Sequence, residues 1–244
     1  MKFSIITPTW NCESSIIKTV KSVRIQQGVD VEHILIDNCS TDRTIENALS
    51  VNSELKVFSE KDTGIYNAFN KGLKRTTGDI IAFLNADDFY LNQNTLKNVL
   101  NSFQENSATA CVYGNIIVNG KEYKPRKKGI LSIKGNRLFH PSLFMKKEIF
   151  EQLNGFNEKY TIASDLDLFI RARLSGYKFD YINTPLTGFA LGGISTTKLF
   201  TTTHEIISIL KANKFSTLYI TLFATIQYLK DILSYIRNLF IIEK

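Results

Sequence analysis

Apolar and polar positions follow two different periods along the first third of the chain. Short, mostly apolar runs stand at Phe3–Thr7, His33–Ile36, Leu55–Phe58 and Ile80–Leu84, each about one strand long. Between them apolar residues recur every three or four positions: Ile16, Ile17, Val20 and Val23, then Ile65, Ala68, Phe69 and Leu73. That spacing lines one face of a helix. It predicts helices over Ser14–Gln27, 43–51 and Ile65–Arg75, with Asp42 placed to cap the second and Gly78 following the third. Four strands therefore alternate with three helices, the order of a parallel sheet covered by helices on both faces. Ligands of such sheets bind beyond the carboxyl ends of the strands. Thr7–Asn11, Asp37, the 60–64 loop and Asn85–Asp88 all follow strands, so they are expected to share one rim.

The second half changes pattern. Val112–Val118 and Lys121–Tyr123, joined by Asn119-Gly120, predict a hairpin. A strand is expected over Leu138–Met145, a short helix over Lys146–Gln152 stopped by Asn154-Gly155, a helix over Asp165–Leu174, and a late strand over Tyr177–Ile182. This mixture predicts at least one antiparallel strand. Beyond Lys198 the pattern is helical. Phe215–Leu229 carries no charge, but the stretch is short for a bilayer span. Flanked by Lys211, Lys214, Lys230 and Arg237, residues 214–244 predict helices that lie on a membrane surface, on a second copy, or on their own domain.

Composition adds bounds. The 244 residues, 43% hydrophobic and 22% charged, suit one globular domain with a small appendage. The three cysteines, Cys12, Cys39 and Cys111, lack metal-type spacing and point to a reduced, cytoplasmic protein. The opening MKFSIITPTWN reads as a first strand and not a signal peptide. A net charge of +7 is compatible with acidic substrates or anionic lipid, and no nucleic-acid motif accompanies it.

The strongest chemical signal is the acidic pair Asp87-Asp88 at the mouth of the fourth strand, two residues after Asn85. The pair could cap a following helix. On a ligand rim, its oxygens instead suit Mg²⁺ or Mn²⁺ with a phosphate completing the shell. Asp37 could close an Asx-turn or accept hydrogen bonds from a base or ribose. Trp10, the single tryptophan, could stack on a base or pack. The segment after strand one, TPTWN, lacks the glycines of dinucleotide and Walker-type loops. Asp165 starts a helix, as a cap or as a general base in a cleft, and Asp167 points elsewhere. His140 is isolated in FHPSLF, structural or catalytic.

Taken in order, SIITPTWN, EHILIDNCSTDRT, SEKDTGIYNAFNKGLKRTTGDIIAFLNADD, FHPSLFMKKEIFEQLNGFNE, ASDLDLFIR and LGGIS resemble family 2 glycosyltransferases, especially the bacterial branch that builds capsule, O-antigen or exopolysaccharide. The resemblance covers about residues 1–195. It implies a GT-A type fold: an α/β, Rossmann-like mixed sheet, mainly parallel, flanked by helices and followed by a C-terminal helical extension. Implied divisions are a catalytic domain over 1–197, with a nucleotide-sugar half (1–110) and an acceptor half (111–197), and an extension over 198–244. Implied chemistry is inverting transfer from a nucleotide-diphosphate sugar to a glycan or lipid-linked acceptor, by a cytoplasmic protein peripheral on the inner face of the membrane. By position, Pro8, Thr9, Trp10 and Asp37 would line base and ribose; Asp62, Gly64 and Lys71 would approach the nucleotide. Asn85 and Asp87 take the outer places of the D-x-D-like motif, with Asp87 and Asp88 toward a Mn²⁺ or Mg²⁺ ion, and Asp165 takes the place of the catalytic base. Gly192, Gly193 and Ser195 match a late motif. Asn85 and Asn67 stand where relatives often have Asp, which removes charge but keeps an oxygen. Two alternatives are a sugar-1-phosphate nucleotidyltransferase, which normally carries a Gly-rich basic loop after strand one, and a non-catalytic nucleotide-sugar-binding protein.

Overall fold

The computed structural model describes residues 1–125, 138–189 and 198–242. The predicted alternation holds over the first half: β1 (Lys2–Thr9), α1 (Ile16–Arg24), β2 (Asp30–Asp37), α2 (Thr44–Val51), β3 (Lys56–Ser59), α3 (Ile65–Leu73) and β4 (Ile80–Phe83). There follow β5 (Phe89–Tyr90), α4 (Thr95–Glu105), β6 (Thr109–Val118), β7 (Lys121–Tyr123), a 3₁₀ turn (His140–Ser142), β8 (Leu143–Lys146), α5 (Lys147–Gln152), α6 (Ser164–Leu174), β9 (Lys178–Gly188), α7 (Leu199–Ala212) and α8 (Thr217–Ile242). The strand expected over Leu138–Met145 is shorter than predicted, because Pro141 turns the chain before β8 begins.

The strands form one sheet in the order β3-β2-β1-β4-β8-β6-β9-β5, with β7 paired to β6. β3, β2, β1 and β4 are parallel. β8 runs antiparallel to both β4 and β6, as the mixed pattern predicts. Its reversal carries the preceding 3₁₀ turn to the carboxyl end of β4. Gly188 pairs with Phe89, whose ring covers the place where a Cβ would stand.

Period-two alternation divides the core. Ile6, Ile34, Ile36, Ile81 and Phe83 face a cluster with Tyr66 and Phe69 of α3, Leu168 and Phe169 of α6, and Ile209, Leu210 and Phe223 of the C-terminal helices. Phe3, Ile5, Ile80, Ala82 and Leu84 face Leu96, Val99 and Phe103 of α4. Each Ile, Leu, Val or Phe among them contributes about 1.5–3 kcal/mol on burial. α7 and α8 thus pack on the domain that holds the rim. The outward face of α8, with Leu218, Leu222, Leu229, Ile232 and Leu233, stays exposed. Among the described residues no helix is long and apolar enough to cross a membrane, and Cys12, Cys39 and Cys111 are free thiols.

Candidate active site

Register brings the rim together. Thr9 lies beside Asp37, and Asp37 beside Ser59. The Asp37 carboxylate is fully buried and takes four donors: Thr9 Oγ1 (3.3 Å), Ser40 Oγ (2.5 Å), the Ser40 amide (3.0 Å) and Ser59 Oγ (2.6 Å). It knots three strand ends together, and Thr9 is buried with it. Trp10, 64% exposed, follows half-buried Pro8 and presents its ring to solvent on this side.

The 60–64 loop is held from within. Asp62 Oδ1 accepts from the Gly64 amide (2.9 Å), and the Asp62 amide donates to Asn38 Oδ1 (2.8 Å). Gly64, at φ +137°, turns the chain into α3 with a conformation that side chains strain. Burial raises the Asp62 carboxyl above its ordinary range, with the Gly64 amide and Lys71 opposing. Lys71 Nζ donates to the Lys61 carbonyl (2.5 Å) and pairs with Glu60 (3.5 Å), so it braces this loop.

Beyond β4, the Asp88 amide donates to the Asn85 carbonyl (3.1 Å) and Thr19 Oγ1 donates to the Asp88 carbonyl (2.7 Å). The turn leaves Asp87 exposed and Asp88 at 1% exposure, so Asp87 is the one that offers a carboxylate to solvent. Neither caps α4, which starts at Thr95. Asn85 Nδ2 meets His140 Nε2 at 3.1 Å. Asn85 Oδ1 is buried without a protein partner, a state polar atoms avoid.

His140 sits between the two acidic positions. Its Nδ1 lies 3.7 Å from Asp165 Oδ2, an ion-pair separation. With Asn85 donating to Nε2, a neutral ring carries its proton on Nδ1 and turns it toward the carboxylate. Burial lowers the His140 pKa, and the charges of Asp165 and Asp87 oppose it. Asp165 is the second residue of α6, not its cap. Its Oδ1 accepts from the Leu166 amide (2.8 Å) and the Tyr66 hydroxyl (3.2 Å). Burial raises the Asp165 carboxyl above its usual range; His140 is the largest opposing influence. The Tyr66 hydroxyl is pushed well up by burial and then by Asp165.

Asp167 faces other neighbours than Asp165, as expected. It is 3% exposed and accepts from Arg171 Nε at 2.8 Å. Arg171 also donates to the Leu153 and Gly155 carbonyls, so this pair fastens α6 to the preceding turn. From α3, Asn67 and Asn70 donate to Glu158 at 2.9 and 2.7 Å and hold the same turn. Tyr66 is a site residue that the sequence pattern hides, because its position reads as one more core residue of an amphipathic helix. His140 shows only as a lone histidine. Gly192, Gly193 and Ser195 lie outside the described residues.

Among the described residues no three His, Cys, Asp or Glu side chains gather into a metal cage. Mg²⁺ and Mn²⁺ take few protein oxygens when phosphate and water complete the shell. The exposed Asp87 carboxylate and the unpartnered Asn85 oxygen fit that open type of site.

Comparison with known proteins bears on the family and the fold. The family profile described as "Glycosyl transferase family 2" matches residues 4–170. The PGL/p-HBAD biosynthesis glycosyltransferase of Mycobacterium bovis (strain BCG / Pasteur 1173P2) is 30% identical over 176 residues, 69% of this chain and 68% of that protein. Escherichia coli chondroitin synthase is 27% identical over 205 residues, 79% of this chain and 29% of the synthase. Among solved structures, S. aureus TarS 1-349 in complex with UDP-GlcNAc superposes with a TM-score of 0.72 at 19% identity, over 87% of this chain and 65% of that one. Mannosyltransferase PcManGT from Pyrobaculum calidifontis, in complex with GDP-Man and Mn²⁺, gives 0.68 at 18%, over 93% and 69%. This chain thus spans just under two thirds of TarS 1-349 and under a third of the chondroitin synthase.

Proposed function

This chain belongs to glycosyl transferase family 2, and we propose that it moves a sugar, with inversion, from a nucleotide-diphosphate donor to a glycan or lipid-linked acceptor in surface polysaccharide synthesis. The observation that carries this reading is the line Asn85, His140, Asp165: a D-x-D-like turn and an acid at a helix start, 80 positions apart in sequence, joined through one imidazole.

In the proposed reaction the acceptor hydroxyl attacks the anomeric carbon as the nucleotide diphosphate leaves. Asp165 accepts the hydroxyl proton; general-base help of this kind contributes about 10²–10⁴-fold. Its raised pKa keeps it a usable proton acceptor. Tyr66 reaches its Oδ1, and His140 stands 3.7 Å from its Oδ2. Trp10 and Pro8 face the base, and Asp37 and Thr9 hold that loop from beneath. Asp87, with Asn85, would hold a Mg²⁺ or Mn²⁺ ion. A bound divalent cation would supply charge compensation for the departing diphosphate. Support for sugar-nucleotide donors comes from the UDP-GlcNAc and GDP-Man complexes of the structural neighbours. Support for the acceptor class comes from the relatives named as a PGL/p-HBAD biosynthesis glycosyltransferase and a chondroitin synthase. The nucleotidyltransferase alternative is set aside by family membership and by the absence of its Gly-rich loop.

The C-terminal helices support a peripheral membrane position. The exposed face of α8 carries Leu218, Leu222, Leu229, Ile232 and Leu233 with Thr217, Thr221 and Thr225 among them, and the neighbouring exposed charges, Lys211, Lys214 and Lys230, are all basic. Asp231, the acid of this stretch, is buried and accepts from Thr203 Oγ1 at 2.7 Å.

The test of the donor reading is a panel of nucleotide sugars scored for thermal stabilisation, with Mn²⁺ and with chelator. A ligand of the folded state raises its apparent stability. At least one UDP-, GDP- or dTDP-sugar should raise the melting temperature, more so with the metal. No shift across the panel in either condition would overturn the donor assignment.

A further inference from the structure

The helix that carries Asp165 has no cap of its own. Ala163 occupies the cap position, with no side-chain hydrogen bond to offer. The amides that lead into a helix nonetheless need acceptors. They receive them from α7. Glu205 Oε1 accepts from the Thr161 amide and the Thr161 hydroxyl, both at 2.8 Å. Its Oε2 accepts from the Ile162 and Ala163 amides, both at 2.9 Å. One carboxylate thus takes four donors from three consecutive residues. Charged acceptors make the stronger hydrogen bonds, and a negative charge is favourable at this end of a helix.

The same segment reaches the base. The Ile162 carbonyl accepts from the Tyr66 hydroxyl at 2.6 Å, and that hydroxyl also touches Asp165 Oδ1 at 3.2 Å. Glu205 holds Ile162 by its amide and Tyr66 holds it by its carbonyl. Asp165 follows three residues later.

We infer that Glu205 is a positioning residue for sugar transfer, and that α7 is therefore part of the catalytic unit. This rests on the reading of Asp165 as the base. The hydrogen bonds of Glu205 go to Thr161, Ile162 and Ala163, and its charge reaches the Tyr66 hydroxyl. It acts by fixing the 161–163 backbone from which α6 and Asp165 project. The expected cost of losing it is set by geometry, since misplacing a reacting group by about 1 Å costs on the order of 10²-fold.

Glu205→Gln, in the full chain, preserves shape but turns an amide NH₂ toward backbone donors. The expected result is a fall in kcat of roughly 10–100-fold, with donor Kd within about twofold of wild type. Placed in an Asp165→Asn background, the same change should add little, because the group it positions is already gone. Thermal melting, run in parallel, reports the folded fraction. Thr161→Ala, which deletes one of the four donors and leaves the backbone amides, should give a smaller kcat loss of the same kind and serves if Glu205→Gln fails to fold. The inference is overturned if kcat per folded molecule is unchanged in both variants, or if the full loss persists in the Asp165→Asn background. Normal turnover by Asp165→Asn alone would instead strike down the base assignment, whatever Glu205 does.

Discussion

Asp165→Asn separates catalysis from architecture. The substitution keeps size and hydrogen-bonding shape but removes the proton acceptor. Its Oδ1 can still accept from the Leu166 amide and the Tyr66 hydroxyl, now at 2.8 and 3.2 Å. On the other side, the new Nδ2 meets His140 Nδ1, now 3.7 Å from the oxygen it replaces. His140 can answer by moving its proton to Nε2, and Asn85 by turning its amide oxygen toward the ring. The fold therefore has a route to accommodate the change. Turnover should fall by roughly 10²–10⁴-fold, while nucleotide affinity holds. The stability effect has a definite sign. Burial raises the Asp165 carboxyl above its ordinary value of 3.8, with His140 opposing. A raised carboxyl binds its proton more tightly when folded, so its contribution is fully present below pH 3.8 and is lost as pH rises through the raised value. At neutral pH the wild-type protein carries that cost and the asparagine variant does not. The variant should melt no lower than wild type at pH 7. The assay is transfer rate at saturating donor and acceptor, with donor binding and melting on the same preparations. The acid limb of the wild-type kcat profile should lie above the ordinary carboxylate pKa. Near-normal turnover by Asp165→Asn would refute the reasoning. A collapse in melting temperature with proportionate activity loss would assign Asp165 a structural role.

Asp87→Ala should weaken divalent-dependent nucleotide binding by more than about 10-fold; identical binding by wild type and variant, with metal and with chelator, would remove Asp87 from that role. On the outer face of α8, Leu222→Glu with Leu229→Glu should reduce co-sedimentation with anionic phospholipid vesicles; wild-type protein that ignores such vesicles would dispose of the membrane reading. Deleting 214–244 is a poorer probe, because Phe223 lies in the core. Glu32 is buried, which by itself would raise its carboxyl, but Lys56, Ser4 and Thr77 outweigh burial and hold it at about 2. That stabilisation is present above pH 4.5 and lost as pH falls toward about 2, so Glu32→Gln should flatten the acid limb of stability against pH, and an unaltered limb would contradict it.

The first half of the fold is legible because each element there is bounded by its own local chemistry. Pro8 follows the apolar run of β1, Asp42 accepts from the Thr44 amide at the start of α2, and Gly64 leads into α3. The stretch after Asp88 resists such reading. In α4 the buried positions Leu96, Val99 and Phe103 do keep helical spacing, so the signal for that helix is present; β5, two residues long, has none. Its pairing with β9 joins positions about a hundred residues apart, beyond the reach of any local pattern.

The candidate site divides along the same line. Asp87 and Asp165 can be found from sequence because an acid at a strand mouth or a helix start is a local statement. What each acid does depends on neighbours that arrive by topology. Asp37 reads as a rim carboxylate, yet its oxygens are occupied by donors from two other strand ends and its own turn. His140 reaches Asn85 because β8 runs antiparallel beside β4, a pairing that residues 138–146 do not encode by themselves. Asp165 and Asp167 make the point most sharply. They stand two positions apart on one helix, so they face different surroundings. Asp167 meets the guanidinium of Arg171 and becomes a fastener. Asp165 meets an imidazole, a phenol and one amide, with burial raising its pKa, and is left able to take a proton.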